Sequence, residues 1–304
     1  MKSKQNKCKL AVLGGDRRQA VIAEEFAKSG YDVSVYAINE SSRGCMGVEI
    51  CSSIERAIQN CEFLVLPLPV TRNNIDLNIT SNKDIEFKLA DVVKLAVENG
   101  CEMIFGGMIP EEMKRNCENN SIKVFDFYES ESLQSKNALP SAEGALMITM
   151  EHTDITVMGM NVLISGFGRI GRRLASLFSL MGAKVSVAAR RDEVLCDIAL
   201  CGYRPIRIDL CSCELHQAVE ECDVILNTVP SVIFSEGVIR GITNKPLYVE
   251  IASSPGGIDV SAACDAGIRT ICAPSLPGKY SPISAGKYIF ETISDILSKG
   301  GIDE

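Results

Sequence analysis

Short apolar runs alternate along the chain with stretches in which apolar residues recur at helical spacing. The first runs are Lys9–Leu13 and Asp32–Ala37, and Arg17–Ser29 between them has the period of an amphipathic helix. The tight turn Gly14-Gly15-Asp16 separates the first strand from this helix. We therefore predict a βαβ unit near the start of the sequence, with two parallel strands connected by one helix.

The same alternation continues along the rest of the sequence. Further strands are predicted at Phe63–Leu66, Met103–Phe105 and Ile122–Phe125, with helices near Phe87–Glu98 and Glu111–Asn116. A second βαβ unit comprises Met160–Ser165, Arg169–Met181 and Lys184–Ala188, and strands follow at Pro205–Ile208, Asp223–Asn227, Leu247–Ile251 and Arg269–Cys272. Strands alternating with helices predict an α/β protein with two doubly wound, parallel-sheet, Rossmann-like domains.

The predicted boundary between the two domains follows a turn signal at Asn137–Ser141. Ser141 is placed to cap a helical run over Ala142–His152, and we predict that this helix joins the domains. After a proline-rich loop, Pro274–Pro282, a last helix over Ser284–Ser298 is predicted to return to the first domain. Residues 1–138 with 283–304 would form a substrate or partner domain, and residues 139–282 an NADP-binding domain that includes the linking helix.

Composition narrows the classes of function. A net charge of −8 and a pI near 5.1 leave no basic stripe for nucleic acid, and no apolar run is long enough to span a membrane. The 13 cysteines are odd in number and irregularly spaced, which indicates reduced thiols in a cytoplasmic protein. Cys211 and Cys213 lack a second pair, and only His152 and His216 could complete a zinc site, so no metal is predicted.

The strongest motif is a complete G-x-G-x-x-G, formed by Gly166, Phe167, Gly168, Arg169, Ile170 and Gly171. It follows an apolar strand and opens a helix, as dinucleotide binding requires. The first glycine permits the tight turn, the second lets the backbone approach a pyrophosphate, and the third lets helix and strand pack closely. The motif predicts a nicotinamide dinucleotide site and hence an oxidoreductase.

The residues after the next strand bear on the choice of coenzyme. At this position an NAD enzyme would have an acidic residue, whereas an NADP enzyme favours arginine. The chain has Arg190 and Arg191 here, so we predict NADP as the coenzyme. Asp192, the next residue, supports NAD as the alternative. Near the nicotinamide, the sequence predicts a cofactor-binding loop at the end of a later strand, consisting of Asn227, Thr228, Val229 and Pro230.

Candidate substrate and catalytic residues lie on predicted turns and at helix ends, where each could equally be structural. Arg17 and Arg18 stand at a helix start suited to a carboxylate, although this turn lacks the third glycine of a second dinucleotide site. We expect the substrate pocket in the cleft between domains. The further candidate substrate ligands are Ser141, Ser254, Ser275 and Lys279, and the candidate acid–base residues are Asp16, Glu143 and His152.

The ordered set of motifs resembles the A subunits of the dipicolinate synthases of spore-forming bacteria. The resemblance runs nearly end to end. Its motifs are Gly14–Gln19, Asn137–Gly144, His152-Thr153-Asp154, Gly166–Gly171, Asn227–Ser231, Ser254–Gly257 and Leu276-Pro277-Gly278. Two positions depart from the family pattern: Ser254 and Ile283 stand where that pattern has basic residues, so Lys279, Arg17 or Arg18 would replace them as carboxylate ligands.

The resemblance implies that the chain oxidises dihydrodipicolinate to dipicolinate, pyridine-2,6-dicarboxylate, with a nicotinamide acceptor. It also implies a partner, the flavoprotein-like B component of dipicolinate synthase, and a location in the cytoplasm of the mother cell during sporulation, on a branch of lysine biosynthesis. Two other functions stay open: a non-catalytic NADP-responsive scaffold for a catalytic partner, and another two-domain hydroxyacid or amino-acid dehydrogenase. A homo-oligomer is also open.

Overall fold

Two six-stranded parallel sheets, each flanked by helices, make up the computed structural model, which describes residues 8–38, 47–81, 85–209 and 213–299. The chain divides into two compact units. Unit 1 comprises residues 1–136 and 281–304, and unit 2 comprises residues 137–280. This is the two-domain α/β architecture that the alternation of strands and helices predicted.

In unit 1 the sheet has the order β3-β2-β1-β4-β5-β6. Its strands are β1 (Lys9–Leu13), β2 (Asp32–Tyr36), β3 (Val48–Ile50), β4 (Phe63–Val65), β5 (Met103–Gly106) and β6 (Lys123–Asp126). The helices are α1 (Arg17–Lys28), α2 (Ile54–Ile58), α3 (Leu89–Glu98) and α4 (Glu111–Asn119), and a 3-10 turn spans Phe127–Glu129. Because the direction of the strand order reverses between β1 and β4, the switch point of this sheet lies at their carboxyl ends.

In unit 2 the sheet has the order β12-β11-β10-β7-β8-β9. After α5 (Glu131–His152), its strands are β7 (Asn161–Ser165), β8 (Lys184–Ala189), β9 (Arg204–Arg207), β10 (Val224–Asn227), β11 (Leu247–Glu250) and β12 (Thr270–Cys272). The helices are α6 (Arg169–Leu180), α7 (Asp192–Leu200), α8 (Cys213–Glu221), α9 (Glu236–Ile239), α10 (Val260–Asp265) and α11 (Leu276–Tyr280). The switch point lies between β7 and β10.

The central strands are largely apolar because helices cover both faces of a parallel sheet. In β1 the residues Leu10–Leu13 are all fully buried, and β10 is equally buried along its length. The last helix, α12 (Pro282–Ser298), packs on α1 in unit 1, which confirms the predicted return to the first domain. A Cβ at Gly286 would lie 2.9 Å from the carbonyl oxygen of Arg18, so a glycine is needed for this close packing.

Three local predictions are wrong. The segment Asn137–Ser141 is not a turn, because α5 runs without interruption from Glu131 to His152 and includes Pro140. Ser141 therefore does not cap a helix: its hydroxyl donates to the carbonyl oxygen of Asn137 at 2.8 Å, within the helix. The loop Pro274–Pro282 is also not free of secondary structure, since it contains the short helix α11.

No helix among the described residues is long and apolar enough to cross a membrane. Within the same part of the chain, no group of three or more histidine, cysteine, aspartate or glutamate side chains could hold a metal ion. Cys211, the predicted neighbour of Cys213 in a thiol pair, lies outside the described residues.

Candidate functional site

The glycine motif forms the turn between β7 and α6 in unit 2, and the fold itself requires two of its glycines. Gly166 has a φ of +87°, which favours glycine, and a Cβ there would lie 2.7 Å from the hydroxyl oxygen of Thr228. A Cβ at Gly171 would lie 2.1 Å from the carbonyl oxygen of Gly166. Both positions must therefore lack a side chain if the first turn of α6 is to pack on the end of β7.

Gly168 differs from its two neighbours in the motif. It is the residue that precedes the first turn of α6, and its φ of −81° and ψ of −160° are accessible to any amino acid. Among the described residues, no heavy atom beyond its immediate chain neighbours lies within 4 Å of the position that its Cβ would take. The open space in front of Gly168 faces the amino end of α6, where first-turn amides lack intrahelical acceptors and attract phosphate.

A groove of about 350 Å³ extends from this turn along the carboxyl ends of β7 and β8. Its wall includes the glycine turn, Arg190 and Arg191, and it is otherwise apolar, with contributions from Val194, Ile208, Val229 and Ile233. An apolar slot beside a phosphate-binding helix end, with cations at its far side, is suited to the adenosine half of a dinucleotide. The residues present therefore fit a nicotinamide coenzyme.

Among the described residues, the polar contacts of the two arginines at the groove are exposed. Arg190 donates to the hydroxyl of Ser231 at 3.3 Å, and Arg191 pairs with Glu193 at 3.1 Å. Asp192 is the residue that would favour NAD, since its carboxylate could accept a hydrogen bond from a ribose hydroxyl. This carboxylate forms an exposed ion pair with Arg207. Because exposed ion pairs contribute little free energy, both arginine side chains remain available to an anion in the groove.

A buried side chain at the end of β10 forms hydrogen bonds that fix the loop after this strand. Asn227 is fully buried, and its amide nitrogen donates to the backbone carbonyl of Val229 at 2.9 Å and to the carboxylate of Glu250 at 2.6 Å. Its carbonyl oxygen accepts from the hydroxyl of Ser165 and from the amide of Val229. Asn227 is thus part of the framework of the loop, whereas Thr228 and Val229 are half-buried and Pro230 is exposed.

In unit 1 the corresponding glycine turn, between β1 and α1, is filled by the protein itself. A Cβ at Gly15 would lie 2.4 Å from the side-chain oxygen of Gln19, and Gly15 donates its amide to the carbonyl of Asn78 at 2.8 Å. The hydroxyl of Thr80 donates to the carbonyl of Gly15. Unlike the open turn at Gly168, this turn leaves no space in front of its second glycine.

Asp16 and Arg18 form a half-buried ion pair at the start of α1. Arg18 is 4% exposed and donates to both carboxylate oxygens of Asp16, at 2.9 and 2.8 Å, and to the carbonyl of Leu68. Asp16 also caps α1 together with Gln19. Burial raises the pKa of Asp16, but the hydrogen bonds and charge of Arg18 outweigh this effect, and the pKa lies below its usual value. Asp16 is therefore a weak proton acceptor.

The comparisons with known proteins agree with this architecture. Residues 9–128 match the family model that describes the N-terminal domain of the A subunit of dipicolinate synthase. The chain is 30% identical over 292 residues to the dipicolinate synthase A subunit of Bacillus subtilis (strain 168), and the match covers 96% of each protein. The chain belongs to the family of dipicolinate synthase A subunits.

Solved structures show the same relationship. The crystal structure of the dipicolinate synthase A subunit from Bacillus halodurans matches with a TM-score of 0.83 and 25% identity, covering 96% of this chain and 98% of that one. An L-alanine dehydrogenase shares the fold alone, with a TM-score of 0.63 and 13% identity over 96% of this chain and 90% of that one. This family member thus has the fold of a two-domain dehydrogenase.

Three candidate ligands of this family member follow strands of the unit 2 sheet in the sequence, as the glycine motif follows β7. Ser254 follows β11, and Ser275 and Lys279 follow β12, so all three come after the carboxyl ends of parallel strands. Each of the three residues is exposed. Lys279 lies in α11, with its Nζ 4.8 Å from the ring centroid of Tyr280.

The remaining candidates in unit 2 lie on α5. Glu143 is exposed, whereas Ser141 is buried and bonded within the helix. His152 is the last residue of α5, and its Nδ1 accepts from the guanidinium of Arg269 at 3.2 Å. Because Arg269 precedes β12, this contact lies at the amino edge of the sheet, opposite the glycine motif. The position does not favour acid–base catalysis by His152 on a coenzyme held at the carboxyl edge.

Sequence reasoning missed two groups that the fold places at these turns. Glu250 ends β11 and accepts hydrogen bonds from four donors, including Tyr248 and Asn227. Gln19 is fully buried, and its side-chain nitrogen has no hydrogen-bond partner among the described residues. The only signal for Glu250 was an acid at the end of an apolar strand before a glycine-rich loop, and for Gln19 the N3 position of a capping box.

Proposed function

We propose that this chain is the dehydrogenase component of a dipicolinate synthase and oxidises dihydrodipicolinate to pyridine-2,6-dicarboxylate with NADP as acceptor. Membership of the family of dipicolinate synthase A subunits supports the substrate. The observation that carries the oxidoreductase assignment is the open turn at Gly168, where a backbone free of side chains meets the amino end of α6. The reaction removes one hydride and one proton from the ring.

Coenzyme binding is assigned to unit 2. The turn from Gly166 to Gly171, including the amides of Phe167, Arg169 and Ile170, would hold the pyrophosphate, and Arg190 with Arg191 would hold the 2′-phosphate of NADP. Thr228, Val229 and Pro230 would border the nicotinamide, with Asn227 fixing their loop. When bound, the coenzyme supplies the hydride acceptor, and the protein supplies binding and orientation.

In unit 1 we assign carboxylate binding to the start of α1. Arg17 is exposed beside the helix start and can approach an anion, while the buried Arg18 is held by Asp16 and fixes the turn. The unpartnered nitrogen of Gln19 is a buried donor that suits an acceptor-only group such as a carboxylate. This favours a positioning function for Asp16 and Arg18, and direct contact with substrate for Arg17.

In unit 2, Ser254, Ser275 and Lys279 remain our candidates for carboxylate binding, because they follow the carboxyl ends of β11 and β12. Glu143 remains the candidate proton acceptor, since its carboxylate is exposed on α5. Removing the ring proton demands only a modest base, because aromatisation provides much of the driving force once the hydride is accepted.

The family takes its name from one subunit of a synthase, which implies an enzyme of more than one subunit. We propose that the partner is the flavoprotein-like B component, and that the complex acts in the cytoplasm of a sporulating cell, on a branch of lysine biosynthesis. Purified chain, with and without that partner, should form dipicolinate from freshly prepared dihydrodipicolinate only when NADP is added. Dipicolinate absorbance that stays at the level of coenzyme-free controls, with the partner present, would contradict the proposal.

A further inference from the structure

One half-buried carboxylate connects the loops at the carboxyl edge of the unit 2 sheet. Glu250 ends β11, and one of its oxygens accepts from the side-chain amide of Asn227 at 2.6 Å and from the backbone of Ala252 at 3.1 Å. The other oxygen accepts from the phenol of Tyr248 and from the backbone of Gly257, each at 2.7 Å. Two hydrogen bonds to each oxygen suit a carboxylate, which only accepts.

The four donors come from different parts of the site. Asn227 belongs to the loop after β10, whereas Ala252 and Gly257 belong to the loop after β11, which includes Ser254. Burial raises the pKa of the Tyr248 phenol, and its hydrogen bond to Glu250 raises it further, so this group stays a neutral donor. Gly257 must lack a side chain, because a Cβ there would lie 2.3 Å from the amide nitrogen of Asn227.

The network continues to the glycine motif. The carbonyl oxygen of Asn227 accepts from the hydroxyl of Ser165, the residue directly before Gly166, and Thr228 donates to the carbonyl of Ser165 at 2.7 Å. The ends of β7, β10 and β11, which are neighbours in the sheet, are thereby connected through polar side chains. The adenosine groove lies on the opposite side of the switch point, along β7 and β8.

We propose that Glu250 is a positioning residue for the nicotinamide half of the coenzyme, which rests on the coenzyme binding proposed above. A dinucleotide crosses the switch point, so its second half lies over the loops after β10 and β11. Glu250 holds both of these loops, and its four hydrogen-bond donors lie outside the glycine turn and the two arginines that form the phosphate-binding parts of the adenosine groove. In Glu250→Gln, the new NH2 group of the side chain would face N–H and O–H groups that also donate, so one pair of hydrogen bonds is lost. Asn227 and the loop that it fixes would then be released.

The test compares a whole coenzyme with its adenosine half. Calorimetric titrations of the full chain with NADP and with adenosine 2′,5′-bisphosphate would be run on the wild type and on Glu250→Gln. Leaving a buried donor unpaired lowers affinity by about tenfold or more, so NADP should bind Glu250→Gln at least that much more weakly. The bisphosphate should bind both proteins within about twofold, because the glycine turn, Arg190 and Arg191, which face its two phosphates, make no hydrogen bond to Glu250 among the described residues. Glu236→Gln, an exposed acid of the same unit, is the matched control and should bind both ligands as the wild type does.

If Glu250→Gln lost structure generally, NADP and the bisphosphate would both bind it more weakly and to the same extent. That result would overturn the positioning function, and so would unchanged binding of NADP. Tyr248→Phe removes one donor and keeps the carboxylate, and it decides the matter if Glu250→Gln does not fold. It should weaken NADP binding more than bisphosphate binding, and equal changes would refute the proposal. A wild type that takes up neither ligand would instead refute the coenzyme assignment itself.

Discussion

Replacing Gly168 with alanine should separate coenzyme binding from folding. The position has a backbone conformation that alanine adopts without strain, and among the described residues no heavy atom beyond its chain neighbours lies within 4 Å of the new methyl group. The methyl group would project into the space in front of the first turn of α6, where the pyrophosphate must approach. The structure therefore predicts loss of binding without loss of stability.

Gly168→Ala should change stability and coenzyme affinity in opposite directions. Alanine restricts the unfolded chain, so the free energy of unfolding should stay constant or rise by about 0.4–1 kcal/mol, which corresponds to a Tm increase of at most a few degrees. A lost hydrogen bond from a backbone amide to a charged phosphate costs about 1.5–3 kcal/mol, and NADP affinity should therefore fall by roughly ten- to 150-fold.

Thermal unfolding and calorimetric titration with NADP, on the same preparations, measure both effects. Gly171→Ala is the matched control, because its methyl group would lie 2.1 Å from the carbonyl oxygen of Gly166 and must disturb the turn. It should lower the Tm. If Gly168→Ala binds NADP as tightly as the wild type, or if its binding and Tm decline together as in Gly171→Ala, the reasoning about the open turn is refuted.

Three further predictions concern the charged groups of the two units. The double variant Arg190→Ala/Arg191→Ala should lose about tenfold or more in NADP affinity but little in NAD affinity, and equal losses in parallel titrations would count against the 2′-phosphate assignment. Arg17→Ala should keep the wild-type Tm and bind dipicolinate more weakly in calorimetric titrations. Arg18→Ala leaves Asp16 unpaired and should lower the Tm by more than about 5 °C. A larger loss of Tm in Arg17→Ala than in Arg18→Ala would be inconsistent with the burial of Arg18. The pKa of Asp16 is lower in the folded protein than in the unfolded chain, so its contribution to stability is present above about pH 4 and is lost as the pH falls through the folded pKa. The Tm of Asp16→Asn should therefore decline less steeply below pH 4 than the Tm of the wild type. Parallel Tm curves for the two proteins would disagree with the ion pair.

Local sequence signals predicted the framework well because strands and the glycine motif depend on nearby residues. The buried strands read as continuous apolar runs, and the turn from Gly166 to Gly171 combines the three glycines with the strand before it and the helix after it. The same local logic failed at Pro140, which usually ends a helix but lies inside α5. The edge strand Val48–Ile50 was not predicted, because its two apolar residues are separated by Glu49 and the strand is largely exposed, so it forms no apolar run.

The candidate site was less accessible to sequence reasoning because its contacts connect distant residues. Arg18 is an exposed cation by its sequence pattern, yet the carbonyl of Leu68, 50 residues away, and Asp16 hold it in the interior. Likewise the side chain of Glu250 bonds to Asn227, 23 residues earlier in the chain. Only the pairing of β10 with β11 brings these two residues together.

The proposed oxidation requires the turn between β7 and α6 to bind a nicotinamide dinucleotide. The most direct measurement is a calorimetric titration of well-folded, full-length wild-type chain with NADP and, separately, with NAD. We predict saturable binding of NADP to one site per chain, about ten- to a hundredfold tighter than that of NAD. The absence of measurable binding for both coenzymes would contradict the account.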